Sequence, residues 1–226
     1  MKLLGSPLSP FVRKARIVAS EKGIEYDYDP RPGPTGWTDD YEKINPFMRI
    51  PALLPDPARL DFAINDSTAI CAYFEKLEPT PALYPTDALA YGRALWLEEV
   101  ADTDLAGTIG LGVFRPVFFN VFAGKPPDWE AADAGFAKLE KKLLPYLETA
   151  STDEYFTGDS FSIADIAVAT QFMNLRYAGY IVPSDKYPTL AGRLEKISTR
   201  PSIAAFIESD IKFWAKMKIE IPPRNY

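Results

Sequence analysis

The sequence of 226 residues contains no histidine and one cysteine, Cys71. Without histidine, the chain cannot carry a Ser–His–Asp or Cys–His catalytic arrangement, an HExxH zinc motif or any imidazole base. A single cysteine excludes an internal disulfide, a CxxC redox pair and every multi-cysteine metal site. We therefore expect no metal centre. The chemistry is expected to use hydroxyls, carboxylates, Lys, Arg, backbone amides or a reactive group supplied by a cofactor.

Positive charge is also scarce, since 25 Lys and Arg stand against 31 Asp and Glu and give a formal net charge of -6. A negative protein without a basic stripe is not attracted in general to nucleic acid or to anionic membranes. The N-terminus has no signal-peptide core, and no apolar stretch approaches the roughly 20 residues that span a bilayer. We expect a soluble cytoplasmic protein with no nucleic-acid or membrane partner.

The first third of the chain alternates strand-like and helix-like segments. A short apolar strand precedes a helix that begins at Pro10, and a second strand completes a βαβ unit. After a proline- and glycine-rich loop, the pattern predicts two more strands and a helix. The predicted strands are 2–4, 26–28, 50–54 and 62–64, and the predicted helices are 10–23 and 67–77. The order is β-α-β followed by β-β-α, and we interpret it as a thioredoxin-like domain.

Beyond residue 78 the pattern becomes helical. Residues 79–86 contain three prolines and predict an extended linker. Later segments place apolar residues at the i, i+3, i+7 spacing of a helix face. We therefore predict an α/β plus all-α chain, with a thioredoxin-like domain at 1–78, a linker at 79–86 and a helical bundle at 87–226.

Ser9 is the first candidate for chemistry. Because Pro10 suits the first position of a helix, Ser9 becomes the natural N-cap, at a helix end where free N–H groups and the dipole favour an anion. Such a site suits an anionic sulfur, because positive helix ends and hydrogen bonds to a thiolate lower the pKa of a thiol from about 8.5. The alternative is plain helix capping, which this motif alone favours.

Two further motifs allow both a structural and a functional interpretation. Pro51 at a strand start cannot donate to the sheet. If its bond to Ile50 is cis, the backbone of Ile50 turns outward and can pair with an extended peptide, whereas an ordinary trans proline is the alternative. At the next helix start, Asp66 or Ser67 can be the N-cap. Alternatively, Ser67 binds a carboxylate while Asp66 receives a ligand ammonium.

A thioredoxin-like topology brings all three motifs to one edge of the sheet. An anion site, a peptide-pairing backbone and a site for an ammonium and a carboxylate would then form one cleft. That combination fits a γ-glutamyl tripeptide thiol.

These residues resemble the glutathione transferase superfamily, and the resemblance covers residues 1–215. Residues 9–11, Ser-Pro-Phe, resemble the catalytic serine motif of tau-like transferases and stand where the omega class has Cys-Pro-Phe. Residues 45–53 are similar to the family's Asn-Pro-x-x-Lys-Val-Pro-Ala-Leu segment, whose proline is cis. Residues 66–67 resemble the Glu-Ser pair that holds the γ-glutamyl group, and residues 158–165 match the family's N-capping box, a folding feature.

The resemblance implies a role for each matching residue. Ser9 would activate the thiol of glutathione, with Ser6 as the alternative hydroxyl. Ile50, preceding Pro51, would pair its backbone with the cysteinyl part of the peptide. Arg49, in the family's lysine position, would meet the glycyl carboxylate. The remaining pair, Asp66 and Ser67, would take the γ-glutamyl group.

The electrophile is expected to bind in a pocket between the two domains. Phe11 and the aromatic segment that holds Phe114 and Phe118 are the candidates for its lining. The i, i+4 spacing of the latter two fits a core helix face equally well, so both interpretations stay open. Cys71 is interpreted as a buried core thiol.

We predict a glutathione transferase that joins the glutathione thiolate to a small apolar electrophile, with glutathione as cosubstrate and no metal. The resemblance also implies a homodimer. The alternatives are a ligand carrier or regulatory interaction protein that keeps the fold without turnover, and a glutathione-dependent isomerase or dehalogenase. The sequence does not separate them, because specificity resides in the electrophile pocket.

Overall fold

The structure is a computed structural model that describes residues 1–34, 36–150, 153–216 and 219–224. The chain divides into two compact units, Met1–Tyr84 and Pro85–Tyr226. The division falls within residues 79–86, which the sequence predicts as a linker. The end of the first unit is packed rather than free, because Leu83 and Tyr84 are buried.

The first unit is built on a three-stranded sheet of β1 (Lys2–Leu4), β2 (Asp27–Asp29) and β3 (Ala52–Leu54), in the order β2-β1-β3. β1 runs parallel to β2 and antiparallel to β3. The register pairs Leu4 with Ala52, so the end of β1 and the start of β3 lie at the same edge of the sheet.

The predicted strand at 62–64 is wrong. Leu60–Phe62 forms a single 3-10 turn, and only Ile64 pairs with the sheet, through two hydrogen bonds to Leu53 of 2.8 and 2.9 Å. The reason is the lack of a buried face, since Phe62 is 59% exposed and has Arg59 over its ring. A strand is stabilised by such a face.

The helices of the first unit are α1 (Pro10–Glu21), α2 (Tyr41–Ile44) and α3 (Ser67–Leu77). α1 packs against α3 through buried apolar residues that include Val18, Ile70 and Phe74. Cys71 is fully buried in α3, in agreement with the core interpretation.

The second unit begins with a long helical stretch, Ala88–Phe122. It consists of α4 (Ala88–Val100), a segment of wider i→i+5 turns (Ala101–Phe114) and α5 (Arg115–Phe122). An 18-residue window within it has a mean hydropathy of 1.5, so this helix is long and apolar enough to span a membrane. The expectation that no stretch has this length and composition is wrong. A core helix of a soluble protein passes the same test. This one packs against the next helix of the chain and against the central helix of the unit.

The remaining helices are α6 (Trp129–Lys138), α7 (Leu144–Thr149), α8 (Ile163–Tyr177), α9 (Pro188–Ser198) and α10 (Pro201–Lys216), with a wider turn at Leu139–Leu143 before α7. α8 is the central helix, and its residues from Ile163 to Leu175 are buried. Its first turn carries the predicted capping residue Asp165, whose carboxylate accepts the N–H of Ser162 at 2.8 Å and that of Phe156 at 3.0 Å. Burial raises the pKa of this carboxyl.

Candidate active site

Ser9 is the N-cap of α1, as its place before Pro10 predicts. Its Oγ accepts the N–H of Val12 at 3.4 Å, and the residue is half-buried. A hydroxyl that accepts one hydrogen bond still has its own hydrogen to donate. Within the described residues no hydrogen bond donated by this hydroxyl is present. Capping and ligand binding are therefore compatible functions of the same side chain.

Ser6 occupies a different environment. It is buried, its N–H donates to the carbonyl of Pro32 at 2.7 Å, and its Oγ accepts the N–H of Leu8 at 3.4 Å. The Ser6 carbonyl in turn accepts the N–H of Ser9 at 3.1 Å, which fixes the turn between the two serines. Arg13 braces this turn from α1, because its guanidinium donates to the Pro7 carbonyl at 3.2 Å. The half-buried Ser9 is the more accessible of the two hydroxyls.

Ile50 precedes a cis peptide bond to Pro51. Among the described residues, neither its N–H nor its C=O makes a hydrogen bond. Two hydrogen bonds fix the turn before Ile50. The Arg49 carbonyl accepts one from the Tyr41 hydroxyl at 2.7 Å and one from the Asn45 side-chain amide at 2.8 Å. The backbone of Ile50 is therefore presented by a fixed turn with both polar groups open.

Asp66 is the N-cap of α3, and Ser67 is the first helical residue. One carboxylate oxygen of Asp66 accepts the N–H of Ala69 at 3.0 Å, while its side chain remains exposed. Ser67 is buried. Lys14 of α1 reaches the neighbouring residue, because its Nζ lies 3.0 Å from the Thr68 hydroxyl.

These contacts join the predicted motifs. A Cβ added at Gly5, in the turn before Ser9, would lie 3.1 Å from the Ile50 Cβ and 3.5 Å from the Pro51 Cα. Only a glycine, with a φ of 146°, allows this approach. The Lys14 contact connects the starts of α1 and α3. One edge of the sheet thus carries an open hydroxyl, an open backbone pair and an acidic helix start.

Sequence reasoning missed the residues that support this edge. Tyr41 and Asn45 hold the turn before Ile50, and Lys14 links the two helices. Lys14 acts across the fold, because its partner Thr68 lies 54 residues further along the chain. Tyr41 and Asn45 act locally, through the Arg49 carbonyl eight and four residues later. The sequence did offer a signal for Asn45, because this residue begins the segment 45–53 that resembles the family's motif.

The structure places the other candidates less favourably. Arg49 is exposed and lies 5.7 Å from the ring of Phe47, and Phe11 is half-buried. Phe118 is fully buried and Phe114 is 4% exposed, and their rings stack 4.8 Å apart. Trp214 packs on Phe118 at 4.8 Å. This burial favours the core interpretation of Phe114 and Phe118, and their role as an electrophile lining stays a prediction.

No group of three or more acidic or cysteine side chains that could hold a metal ion occurs in the described part of the chain. The polar groups at this edge are a hydroxyl, peptide groups and one carboxylate. They are suited to hydrogen-bonding a small peptide with charged ends.

Comparison with known proteins decides the family. Residues 3–82 match the glutathione S-transferase N-terminal domain, and residues 127–210 match the C-terminal domain. A glutathione S-transferase of Triticum aestivum is 30% identical over 199 residues, which cover 84% of each chain. This chain belongs to the glutathione S-transferase family. The maleylacetoacetate isomerase of Rattus norvegicus is also similar, at 27% identity over 182 residues, or 79% of this chain and 78% of the relative.

The glutathione S-transferase fold is also found by structural comparison. The apo form of human glutathione S-transferase T1-1 superimposes with a TM-score of 0.81 and 25% identity, over 98% of this chain and 92% of the human one. The predicted superfamily and the predicted two-part fold are confirmed. The roles of Ser9, Arg49, Ile50, Asp66 and Ser67 stay predictions.

Proposed function

We propose that this glutathione S-transferase chain binds glutathione at the sheet edge of its first unit and transfers the thiolate to a small apolar electrophile. The observation that carries the proposal is the half-buried Ser9 hydroxyl, which caps α1 with its oxygen and keeps its hydrogen for a ligand. A donor at a positive helix end stabilises a thiolate over a thiol. Ser9 would thus raise the fraction of ionised, nucleophilic sulfur.

The rest of the peptide would be held by groups with the matching chemistry. The open N–H and C=O of Ile50 suit the cysteinyl part of glutathione, in the manner of an added strand. The free oxygen of Asp66 suits the γ-glutamyl ammonium, and Ser67 at the start of α3 suits its carboxylate. Arg49 is exposed and able to meet the glycyl carboxylate. The protein would contribute thiolate stabilisation and proximity, with no covalent intermediate.

The test is conjugation of glutathione to 1-chloro-2,4-dinitrobenzene by wild type and Ser9→Ala at saturating glutathione. We expect Ser9→Ala to lose about tenfold or more in kcat/KM, or about 1.4 kcal/mol of transition-state stabilisation. The thiolate absorbance of bound glutathione should titrate at higher pH in the variant. Ser9→Thr keeps the hydroxyl and should retain most of the rate.

Ser6→Ala is the matched control, because it removes a buried hydroxyl from the same turn. Equal turnover by wild type and Ser9→Ala would contradict the role of Ser9, and a loss confined to Ser6→Ala would move that role to Ser6. If glutathione neither raises the Tm nor supports turnover, the glutathione hypothesis fails. A raised Tm without turnover of any electrophile favours a carrier protein.

An isomerase is the second candidate, favoured by the similarity to maleylacetoacetate isomerase. Glutathione-dependent isomerisation of maleylacetoacetate should be assayed with the same proteins, since both reactions need the same thiolate. We also propose a homodimer, as the resemblance implies, and a cytoplasmic location, as the sequence predicts.

A further inference from the structure

Asn65 connects the two groups of residues proposed to bind glutathione. Its side-chain amide donates to the Ile44 carbonyl at 2.8 Å, across 21 residues of the chain. Ile44 ends α2, the helix whose first residue, Tyr41, fixes the turn before Ile50. Asn65 itself directly precedes Asp66, the N-cap of α3. One hydrogen bond therefore joins the helix that supports the open backbone of Ile50 to the acidic start of α3.

The backbone on both sides of Asn65 is fixed by other contacts. Ile64 pairs with Leu53 through two hydrogen bonds of 2.8 and 2.9 Å, and the Asp66 carboxylate accepts the N–H of Ala69 at 3.0 Å. These bonds define where the sheet ends and where α3 begins. They do not reach α2, which has only four residues and is too short to be stable alone. The link from Asn65 thus adds the spacing between α2 and the start of α3, which neither of these bonds determines.

The oxygen of the same amide has an uncommon environment. The Asn65 Oδ1 is buried and, within the described residues, accepts no hydrogen bond. A buried acceptor without a partner costs at least as much stability as one hydrogen bond between neutral groups contributes. Leucine has nearly the same shape and avoids this cost. Folding stability alone therefore does not account for an amide at this position, whereas a function in spacing the ligand-binding groups does.

We propose that Asn65 is a positioning residue for glutathione. It holds Asp66 and Ser67 at the distance from Ile50 that lets one tripeptide occupy both positions at once. Because its oxygen is buried, Asn65 acts through these residues and does not touch the ligand. This inference rests on the proposed function, which assigns the γ-glutamyl end to the start of α3 and the cysteinyl part to Ile50. Ligands that use both positions gain from a fixed spacing, and ligands that use one position do not.

Asn65→Leu tests the spacing, with glutathione and cysteinylglycine as the two probes. Cysteinylglycine lacks the γ-glutamyl group and uses only the positions of Ile50 and Arg49. We expect the variant to raise the KM for glutathione about tenfold in conjugation to 1-chloro-2,4-dinitrobenzene, and the calorimetric Kd by the same factor. The kcat at saturating glutathione should stay within about twofold, because Ser9 is untouched. The Ki of cysteinylglycine as a competitive inhibitor should also stay within about twofold, since this peptide does not reach α3.

Asn120→Leu is the matched control. Asn120 is a half-buried asparagine of α5 in the second unit, and its side chain makes no hydrogen bond within the part of the chain that the structure describes. This variant should leave the KM, kcat and Kd at their wild-type values. Asn65→Ala is a second test variant, which keeps the test available if Asn65→Leu does not fold. It also removes the donor to Ile44 and should raise the KM for glutathione while kcat is retained.

The two probes separate positioning from a general structural role. An unchanged KM and Kd for glutathione in folded Asn65→Leu would overturn the proposal. Equal weakening of glutathione and cysteinylglycine would also overturn it, because the whole site is then disturbed, and so would the same rise in KM for Asn120→Leu. If wild type binds glutathione and Asn65→Leu binds it equally well, the proposed function stands and this inference alone fails. If wild type neither turns over nor binds glutathione, the proposed function fails and this inference fails with it.

Discussion

Lys22 shows how a single buried charge ties the first unit together. Its side chain is fully buried, and its Nζ lies 2.6 Å from Glu75, 2.7 Å from the Glu78 carbonyl and 2.8 Å from the Pro81 carbonyl. Glu75 in turn accepts the backbone N–H of Leu83 at 3.3 Å. One ammonium thus connects the end of α1 to α3 and to the chain that leaves the unit.

We expect Lys22→Met to lower the free energy of unfolding by about 3–5 kcal/mol, because it leaves Glu75 partly buried without its counter-charge. Chemical denaturation measures the loss. Lys212→Met is the control, since Lys212 pairs with Glu208 on an exposed helix face and should cost about 0.5 kcal/mol or less. Adding Glu75→Gln to Lys22→Met should recover part of the loss, and a Lys22→Met protein as stable as wild type would contradict this account.

At the residue scale, the sequence predicts what depends on near neighbours. Ser9 caps α1 because Pro10 follows it, and Asp165 completes the capping box of α8 because the N-cap Ser162 stands three residues earlier. Lys14 and Lys22 could not be assigned in this way. Their partners Thr68 and Glu78 lie 54 and 56 residues further along the chain and become neighbours only after folding.

At the element scale, α6 crosses the wider helical segment before α5 at a close contact between backbones. Gly135 of α6 lies against Gly112, and a Cβ added at Gly135 would overlap the carbonyl of Gly112. Both partners at the contact are backbone atoms, so neither can move aside as a flexible side chain would. The two helices pack closely because both lack side chains at this point.

Gly135→Ala should therefore destabilise the protein, at the upper end of the about 1–3 kcal/mol that overpacking usually costs. Gly92→Ala should instead raise stability by about 0.5–1 kcal/mol, since Gly92 is an exposed glycine in α4 with open space around an added Cβ. Thermal unfolding of both variants measures the contrast. A Gly135→Ala protein that gains stability like Gly92→Ala would show that the helices separate without cost.

Element prediction succeeds where a periodic apolar face is buried. The helix predicted at 67–77 has the observed bounds of α3, because Ile70 and Phe74 pack into the core. It fails at 62–64, where Phe62 is exposed and Ala63 and Ile64 are only partly buried. It also missed the wider turns of Ala101–Phe114. In so apolar a segment, the spacing of apolar residues does not distinguish i→i+5 from i→i+4 hydrogen bonding.

At the scale of the whole molecule, the end of the described chain is tied back to the middle of the sequence. Arg224 donates to both carboxylate oxygens of Asp133, at 3.2 and 2.5 Å, and its guanidinium lies over Trp129 at 5.0 Å. The Tyr180 hydroxyl donates to the same carboxylate at 2.5 Å, and the backbone N–H of Arg224 donates to the Gly179 carbonyl at 2.7 Å. This cluster closes a loop of about 90 residues.

The Arg224 guanidinium holds the pKa of Asp133 below its ordinary value of 3.8. A carboxyl with a lowered pKa in the folded state stabilises the protein above its unfolded pKa, and this contribution is lost as the pH falls through the folded value. We therefore expect Arg224→Gln to lower the Tm at pH 7. The difference from wild type should shrink as the pH falls below about 4.

Arg59→Gln separates loop closure from simple charge pairing. Arg59 also binds a carboxylate in a bidentate pair and holds the pKa of Asp61 low, but the two residues are neighbours in sequence and both are exposed. Losing this local pair frees no long loop, so its effect on the Tm should be small at every pH. If Arg59→Gln and Arg224→Gln lower the Tm equally, the contribution of Arg224 is that of an ordinary surface pair. A Tm difference for Arg224→Gln that persists unchanged at low pH would instead assign its effect to packing on Trp129.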